Sequence, residues 1–417
     1  LNSAAQEQKL DSIDQYIKKQ LEHFSEMPGL AISIVKGTSP IFTKTYGHSD
    51  VDKEITATKQ TSYYLASVTK SLFGVLVSQL HHEGIIDINK PITDYAPVKN
   101  FKDQRLFKEI TIQHLLSHTS GITNVPIGFR YTNTGEYTKA EMVALLETET
   151  ESLNNNRSYQ YDNFGYHVVD LILSEEFNLN WKDLAKEHLF APINMTHSTG
   201  NISEAQKKGW DYAQSYTALN DDRSPKLTQM RKVDQTMHSA GGVMSSIQDM
   251  ERWLTLNMNN GQLGGKQVLP KEVISKAHSK IASVRGSGGR LFRDTGYGLG
   301  WNSGVYGNKP AIYHTGGFDG YYALVSFLPE EKLGIAMMVN ETHFGDNIGN
   351  LIVSFAYDIL TGGVDAALYK KKEAQVEQQV TRLQSAFAAD RARRAKREWK
   401  LTRDLSNFTG EFYNRQF

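Results

Sequence analysis

Residues 5–24 carry apolar side chains at Leu10, Ile13, Tyr16, Ile17, Leu21 and Phe24, mostly three or four positions apart. That spacing predicts an amphipathic helix. Two β-rich runs follow, GLAISIVKG and PIFTKTYGHSD, with a Gly-Thr-Ser-Pro break between them. This reads as a hairpin. The stretch YYLASVTKSLF, from Tyr63 to Phe73, then opens a run of apolar steps (Leu72, Phe73, Val75, Leu76, Leu80) that stops at Gly84. It reads as a helix.

From about residue 85 to 230 the pattern is helix and loop, with ITIQHLLSHTSGI, KAEMVALLET and FGYHVVDLILSEEF as its apolar segments. Strand-like segments return from 239: SAGGVMSS, TGYGLGW, AIYHTGG, YYALVSFLP and KLGIAMMVN. A further helix is predicted over 346–361. Beta-rich ends thus bracket a helical middle, and the simplest architecture is an α+β fold with one sheet built from both ends and an inserted helical lobe. A cleft between the two is a natural place for a ligand.

Composition narrows the partners. The chain has 417 residues, 39% hydrophobic and 22% charged, which fits a globular protein with a sizeable core rather than a disordered one. Lys+Arg equals Asp+Glu at 46 each, so net charge gives no argument for nucleic acid or a membrane surface. No apolar run approaches the roughly 18–20 residues that span a bilayer. The absence of cysteine removes disulfides, thiol catalysis and Cys-ligated zinc. It suits an exported protein, though cytosolic proteins also lack cysteine. The chain begins at Leu1 without an apolar leader, as expected of a processed or trimmed product.

Candidate chemistry starts with Ser67 and Lys70. On a helix, residues i and i+3 share a face. A serine hydroxyl is a weak nucleophile until a base takes its proton. A lysine one turn along either is that base or holds the local charge for another. Alternatively, the two are ordinary polar residues at a helix mouth. Ser-x-x-Lys occurs a second time, at Ser33 and Lys36, but in a strand-like run where i and i+3 point to opposite faces. Tyr161 and Asn163 supply a phenol and an amide two residues apart, just ahead of an apolar helical run. Tyr131-Thr132-Asn133 and Tyr306-Gly307-Asn308 repeat that spacing in less favourable settings. His314-Thr315-Gly316-Gly317 follows the strand-like AIY. Its glycines allow close backbone approach. His114 and His118 have a ligand-like i, i+4 spacing, but no third ligand is evident and the pair reads as structural. No metal or cofactor is called for.

Three weak motifs in the order Ser-x-x-Lys, Tyr-x-Asn, His-Thr-Gly are jointly specific. Over about residues 25–363 the chain resembles the serine β-lactamase and penicillin-binding-protein superfamily. The branch it most resembles holds class C β-lactamases, DD-peptidases, D-aminopeptidases and related esterases. The stretches 110–122, 239–254 and YGLGW at 297–301 agree. The resemblance implies an antiparallel β-sheet flanked by helices with an all-helical lobe at about 85–230. It implies a serine hydrolase domain over 1–365 that works through an acyl-enzyme. Ser67 would be the nucleophile, Lys70 its partner and Tyr161 a general base or acid. Asn163 would orient the substrate amide. His314, Thr315 and Gly316 would hold its far end, and the backbone N–H groups of Ser67 and Gly317 would form an oxyanion hole.

The substrates so implied are D-amino-acid peptides or β-lactams. Carboxylic esters are the alternative, as is β-lactam binding without turnover. Many superfamily members carry lysine where this chain has His314, which weakens the expectation of efficient β-lactam turnover. The same resemblance points to an exported protein. Residues 366–404 are polar and charged, with a sparse stripe of Val376, Val380, Leu383 and Phe387, and are expected to form a linker helix. The stretch 405–417 resembles the opening strand of a C-terminal β domain.

Overall fold

The computed structural model describes residues 3–96, 98–99, 107–153, 157–229, 231–286, 291–398 and 400–410. Among these, nine strands form one antiparallel sheet. Its order is Ala282–Ser283, Arg293–Tyr297, Asn302–Tyr306, Lys309–Phe318, Tyr321–Leu328, Leu333–Val339, Gly29–Lys36, Ser39–Asp50 and Ile55–Thr56. The two ends of the chain meet where Gly29–Lys36 pairs with Leu333–Val339, Leu30 opposite Val339 and Lys36 opposite Leu333. The expected single sheet built from both ends is therefore present. SAGGVMSS is an exception. Its strand, Met244–Ser246, pairs instead with Ser62–Tyr64 in a separate two-stranded ribbon.

The central strands are nearly continuous apolar runs because both sheet faces are covered. Along Gly29–Lys36, Ala31 and Val35 join the core shared with the Thr69–His82 and Ile247–Met258 helices. Leu30, Ile32 and Ile34 point the other way, into a core with Ile13, Ile17, Ile348 and Ile352. That alternation is the period of a strand. The second core is closed by the Ser3–His23 and Gly345–Thr361 helices. The helical lobe sits beside the first core, its Phe164–Glu176 helix contributing Val168, Val169 and Ile172.

The charged segment after 365 does form a helix, Ala366–Ala395, capped by Asp365. It is not a solvated linker over its first half. Tyr369, Val376 and Val380 are buried against the second core. Lys19 pairs with Glu373 at 3.0 Å, and Gln384 Nε2 donates to the Ala218 carbonyl at 3.0 Å. Leu383, by contrast, stays exposed. Leu405–Phe408 forms a helical turn, and 411–417, the rest of the expected opening strand, lies outside the described residues.

Candidate active site

Ser67 lies in a short 3₁₀ turn, Ala66–Val68, that runs straight into the Thr69–His82 helix. The turn is held from both sides by one residue: Leu65 N–H donates to the Val243 carbonyl at 2.9 Å, and Val243 N–H donates to Thr69 Oγ1 at 3.0 Å. Ala66 is forced to φ +45°. A non-glycine residue in that region costs about 1–3 kcal/mol, and the surrounding contacts must fix it. The helix below is pressed against YGLGW. A Cβ on Gly300, at φ +79°, would lie 1.9 Å from the Lys70 carbonyl oxygen. Only glycine fits there.

Lys70 is fully buried, one turn beyond Ser67. Its Nζ lies 3.0 Å from Ser67 Oγ and donates to the Ala240 carbonyl at 2.7 Å. Burial holds its pKa well below the usual 10.5, with Asp162 opposing this in part. The Nζ also sits 4.9 Å from the centre of the Tyr161 ring. Tyr161 is 45% exposed as a residue, but its hydroxyl end is desolvated. That burial raises its pKa above 10.0, against a hydrogen bond with Ser67 that lowers it. Burial thus disfavours the phenolate of Tyr161 and the charged form of Lys70. Asn163 stands at the start of the Phe164–Glu176 helix, its Oδ1 buried and without a hydrogen-bond partner.

The third wall is the Lys309–Phe318 strand. It pairs with Asn302–Tyr306 only as far as Tyr313, while its other edge pairs with Tyr321–Leu328 through Phe318. Among the described residues no strand covers the remaining edge of 314–318. A Cβ on Gly316 would come within 2.8 Å of the Ser67 amide nitrogen. On Gly317 it would meet nothing within 4 Å. Strand and turn therefore touch at Gly316, and Gly317 faces open space. Ser67, Tyr161, His314, Thr315 and Gly317 line one cleft.

His314 stands where many superfamily members carry a charged lysine. It is 2% exposed. Its Nδ1 is 2.7 Å from the Thr315 carbonyl, which only accepts, so Nδ1–H donates there. Nε2 then accepts from the Tyr297 hydroxyl at 2.9 Å. Burial, with Lys70 adding to it, pushes its pKa down from 6.5 to about 3. The ring therefore meets the cleft neutral, with both nitrogens engaged.

The other sequence readings fall into place. Ser33 bonds Thr43 and Glu251, each at 2.9 Å, while Lys36 donates to the Glu331 carbonyl at 2.6 Å, so that pair is split as its strand period predicts. Tyr131 is buried against His167, and Tyr306 donates to Asp358. His114 closes a capping box with Thr111. Among the described residues no cluster of three or more His, Asp or Glu is arranged to hold a metal, and no helix is long and apolar enough to cross a membrane.

Two contributors were missed. His118, read as structural, packs behind Tyr161 with ring centres 4.5 Å apart. Lys232 places its Nζ 3.6 Å from the centre of the Phe318 ring, next to Gly317, where burial lowers its pKa to about 7. His118 falls in the family-like stretch 110–122, whereas no motif marks Lys232; both are brought in by loops whose course the local pattern does not fix.

Comparison with known proteins identifies the family. A family model described as Beta-lactamase matches residues 15–354. The chain is 24% identical over 333 residues to Protein flp of Staphylococcus aureus (strain MW2), covering 79% of this chain but only 62% of that protein's length. It is 26% identical over 367 residues to a Beta-lactamase of Yersinia enterocolitica, covering 80% of this chain and 86% of the relative. Among solved structures, an octameric penicillin-binding protein homologue from Pyrococcus abyssi superposes with a TM-score of 0.68 at 22% identity, covering 84% of this chain and 77% of that one. A D-amino acid amidase from Ochrobactrum anthropi SV3 superposes with a TM-score of 0.67 at 17% identity, covering 83% and 98%. The chain belongs to the Beta-lactamase family.

Proposed function

We propose that the protein is a serine hydrolase that cleaves amide bonds through an acyl-enzyme on Ser67, with D-amino-acid peptides as its substrates. The observation that carries this is the buried Lys70 amine 3.0 Å from Ser67 Oγ, its pKa depressed by desolvation. A neutral amine at hydrogen-bond distance is what a serine needs to lose its proton. Lys70, rather than Tyr161, is the base, because burial favours the neutral amine and disfavours the phenolate.

Ser67 Oγ attacks the carbonyl carbon and its proton passes to Lys70. The negative charge on the carbonyl oxygen is met by the N–H groups of Ser67 and Gly317. The Tyr161 hydroxyl gives its proton to the departing nitrogen as the C–N bond breaks, and Lys70 returns a proton to Tyr161. Water then attacks the ester by the reverse sequence, releasing the acid and restoring Ser67. Asn163 Oδ1 is an acceptor without a partner, but it is buried behind the cleft lining and meets a substrate N–H only after its side chain turns toward the cleft. Thr315 and the open edge of 314–318 suit an extended backbone laid beside the strand.

The D-amino acid amidase likeness supports amide substrates with D-residues. The neutral His314 argues against a β-lactamase that grips its substrate by a carboxylate. Intact-protein mass after adding benzylpenicillin tests the reading. Wild type is expected to gain one adduct that persists, and Ser67→Ala none. An adduct on both proteins, or acylation elsewhere, would refute it. Rapid loss of the adduct with penicillin hydrolysis would make the protein a β-lactamase. Compartment follows the same resemblance: we place the protein outside the cytoplasm.

A further inference from the structure

The cleft that holds Ser67 does not end at Thr315. It has a volume of about 980 Å³ and runs on past Asn302 and Tyr306 to Lys372, Gln375 and Gln379 on the C-terminal helix. Two helices present polar stripes to it. Asn347, Asn350, Ser354 and Asp358 recur every three or four residues on Gly345–Thr361, and Lys372, Gln375 and Gln379 do so on Ala366–Ala395. Such steps share one helix face. From Asn347 to Asp358 the stripe is about 16 Å long at ~1.5 Å per residue. An extended chain covers ~3.3–3.6 Å per residue, so this length matches about four or five residues.

The chemistry of the groove is that of a peptide. Asp358 and Lys372 are spent on holding the wall: Tyr369 donates to Asp358 at 2.7 Å and Lys372 to Ser354 Oγ at 2.7 Å. Gln375 and Gln379 are exposed, with no side-chain hydrogen bond to the protein among the described residues. Each amide offers a donor and an acceptor, the complement of a peptide N–H and C=O. At the Ser67 end the cleft lacks what a single terminal residue would require. Among its described lining residues the first lysine or arginine is Lys372, at the far wall, and His314 is neutral. Lys232, over the Phe318 ring, is outside the cleft lining and donates to the Thr132 carbonyl at 2.8 Å, so the lining itself offers no cation for a free carboxylate beside the scissile bond.

We infer that the leaving portion of the substrate is a peptide of about four or five residues, running from Ser67 past Thr315 to the C-terminal helix. The enzyme then cuts within a peptide rather than trimming one residue from its end. This rests on the amide-hydrolase reading above.

The test is a series of N-acetyl-D-alanyl peptides, identical on the acyl side, with leaving groups of one, three or five D-alanine residues. For wild type, kcat/KM is expected to rise about tenfold or more from one to five. In the Gln375→Ala, Gln379→Ala double variant, checked for an unchanged melting temperature, that ratio is expected to fall to about two or less, since two hydrogen bonds are together worth on the order of tenfold. A wild-type rate that is flat or falls with length overturns the inference while leaving amide hydrolysis in place. A rise that survives in the double variant overturns the groove as its cause. If no peptide of any length is cleaved while benzylpenicillin still labels Ser67, the amide reading fails and the inference falls with it.

Discussion

The imidazole of His118 packs against the ring of Tyr161, centres 4.5 Å apart, while its Nδ1 accepts the Asp162 backbone N–H at 3.2 Å. Burial, with Lys70 and His314 adding to it, drives its pKa well below 6.5, so it acts as a neutral wedge. It fixes Tyr161 from behind and the following residue from its backbone. His118→Asn keeps a residue type that tolerates the native φ of +59° but removes the ring. The expected result is a fall in the rate of Ser67 acylation on the order of 10- to 100-fold, with the fold intact by circular dichroism. Unchanged acylation, followed by intact mass, would show that Tyr161 is held without it.

With Lys70 as the proposed base, its titration sets the pH dependence expected of acylation. Its folded pKa lies below 10.5, so the active, neutral amine accumulates as pH rises through that depressed value. The acylation rate should climb with pH along one limb and level off well before 10.5. Lys70→Arg puts a permanent cation in the same place. Acylation should then drop by about 100-fold or more at every pH, with the rising limb gone. A variant of near-normal rate would shift the base assignment to Tyr161.

Gly316 and Gly317 make a matched pair. At Gly316 a Cβ would sit 2.1 Å from the Leu65 carbonyl oxygen and 2.8 Å from the Ser67 nitrogen, both backbone atoms. Gly316→Ala must push the strand off the nucleophile turn. Acylation should fall below detection, with a loss of stability of about 1–3 kcal/mol. At Gly317 the same methyl enters open cleft. Gly317→Ala should melt within about a degree of wild type, because nothing in the fold contacts the new atom. Equal melting losses in both variants would contradict the contact drawn here.

Much of this was written in local pattern. The apolar steps after Ser67 form a helix because Leu72, Val75 and Leu76 face one core, and that helix sets the Ser67–Lys70 spacing. The hairpin and the C-terminal strands declare themselves through residues that alternate between two cores. What local pattern could not carry was partnership across the chain. Met244–Ser246 looks like any strand, and only the tertiary fold sends it to Ser62–Tyr64 instead of the main sheet. The charge of the 366–395 helix suggested solvation, yet its sparse valines are enough to dock it. The sequence leaves the charge of His314 open; burial beside Tyr297 keeps it neutral.

Acid should weaken this fold, and His167 is the place to see why. It is fully buried, stacked on Tyr131 with ring centres 4.5 Å apart, and neither ring nitrogen has a hydrogen-bond partner. Burial, with nearby Lys70 adding to it, lowers its pKa from 6.5 to about 3. Above pH 6.5 neither the folded nor the unfolded chain protonates it. As the pH falls from 6.5 toward 3 only the unfolded chain binds the proton, so stability present at neutral pH is lost over that window. At pH 5 this amounts to roughly 2 kcal/mol. His167→Phe keeps the stack on Tyr131 and removes the titration. Its melting temperature at pH 8 should stay near that of wild type, while at pH 5 it should exceed wild type by a few degrees. The decisive quantity is the difference between the two pH values in each protein. An equal drop in both would mean that the acid sensitivity lies with other buried histidines, His118, His238, His278 and His314, whose pKa values burial also lowers.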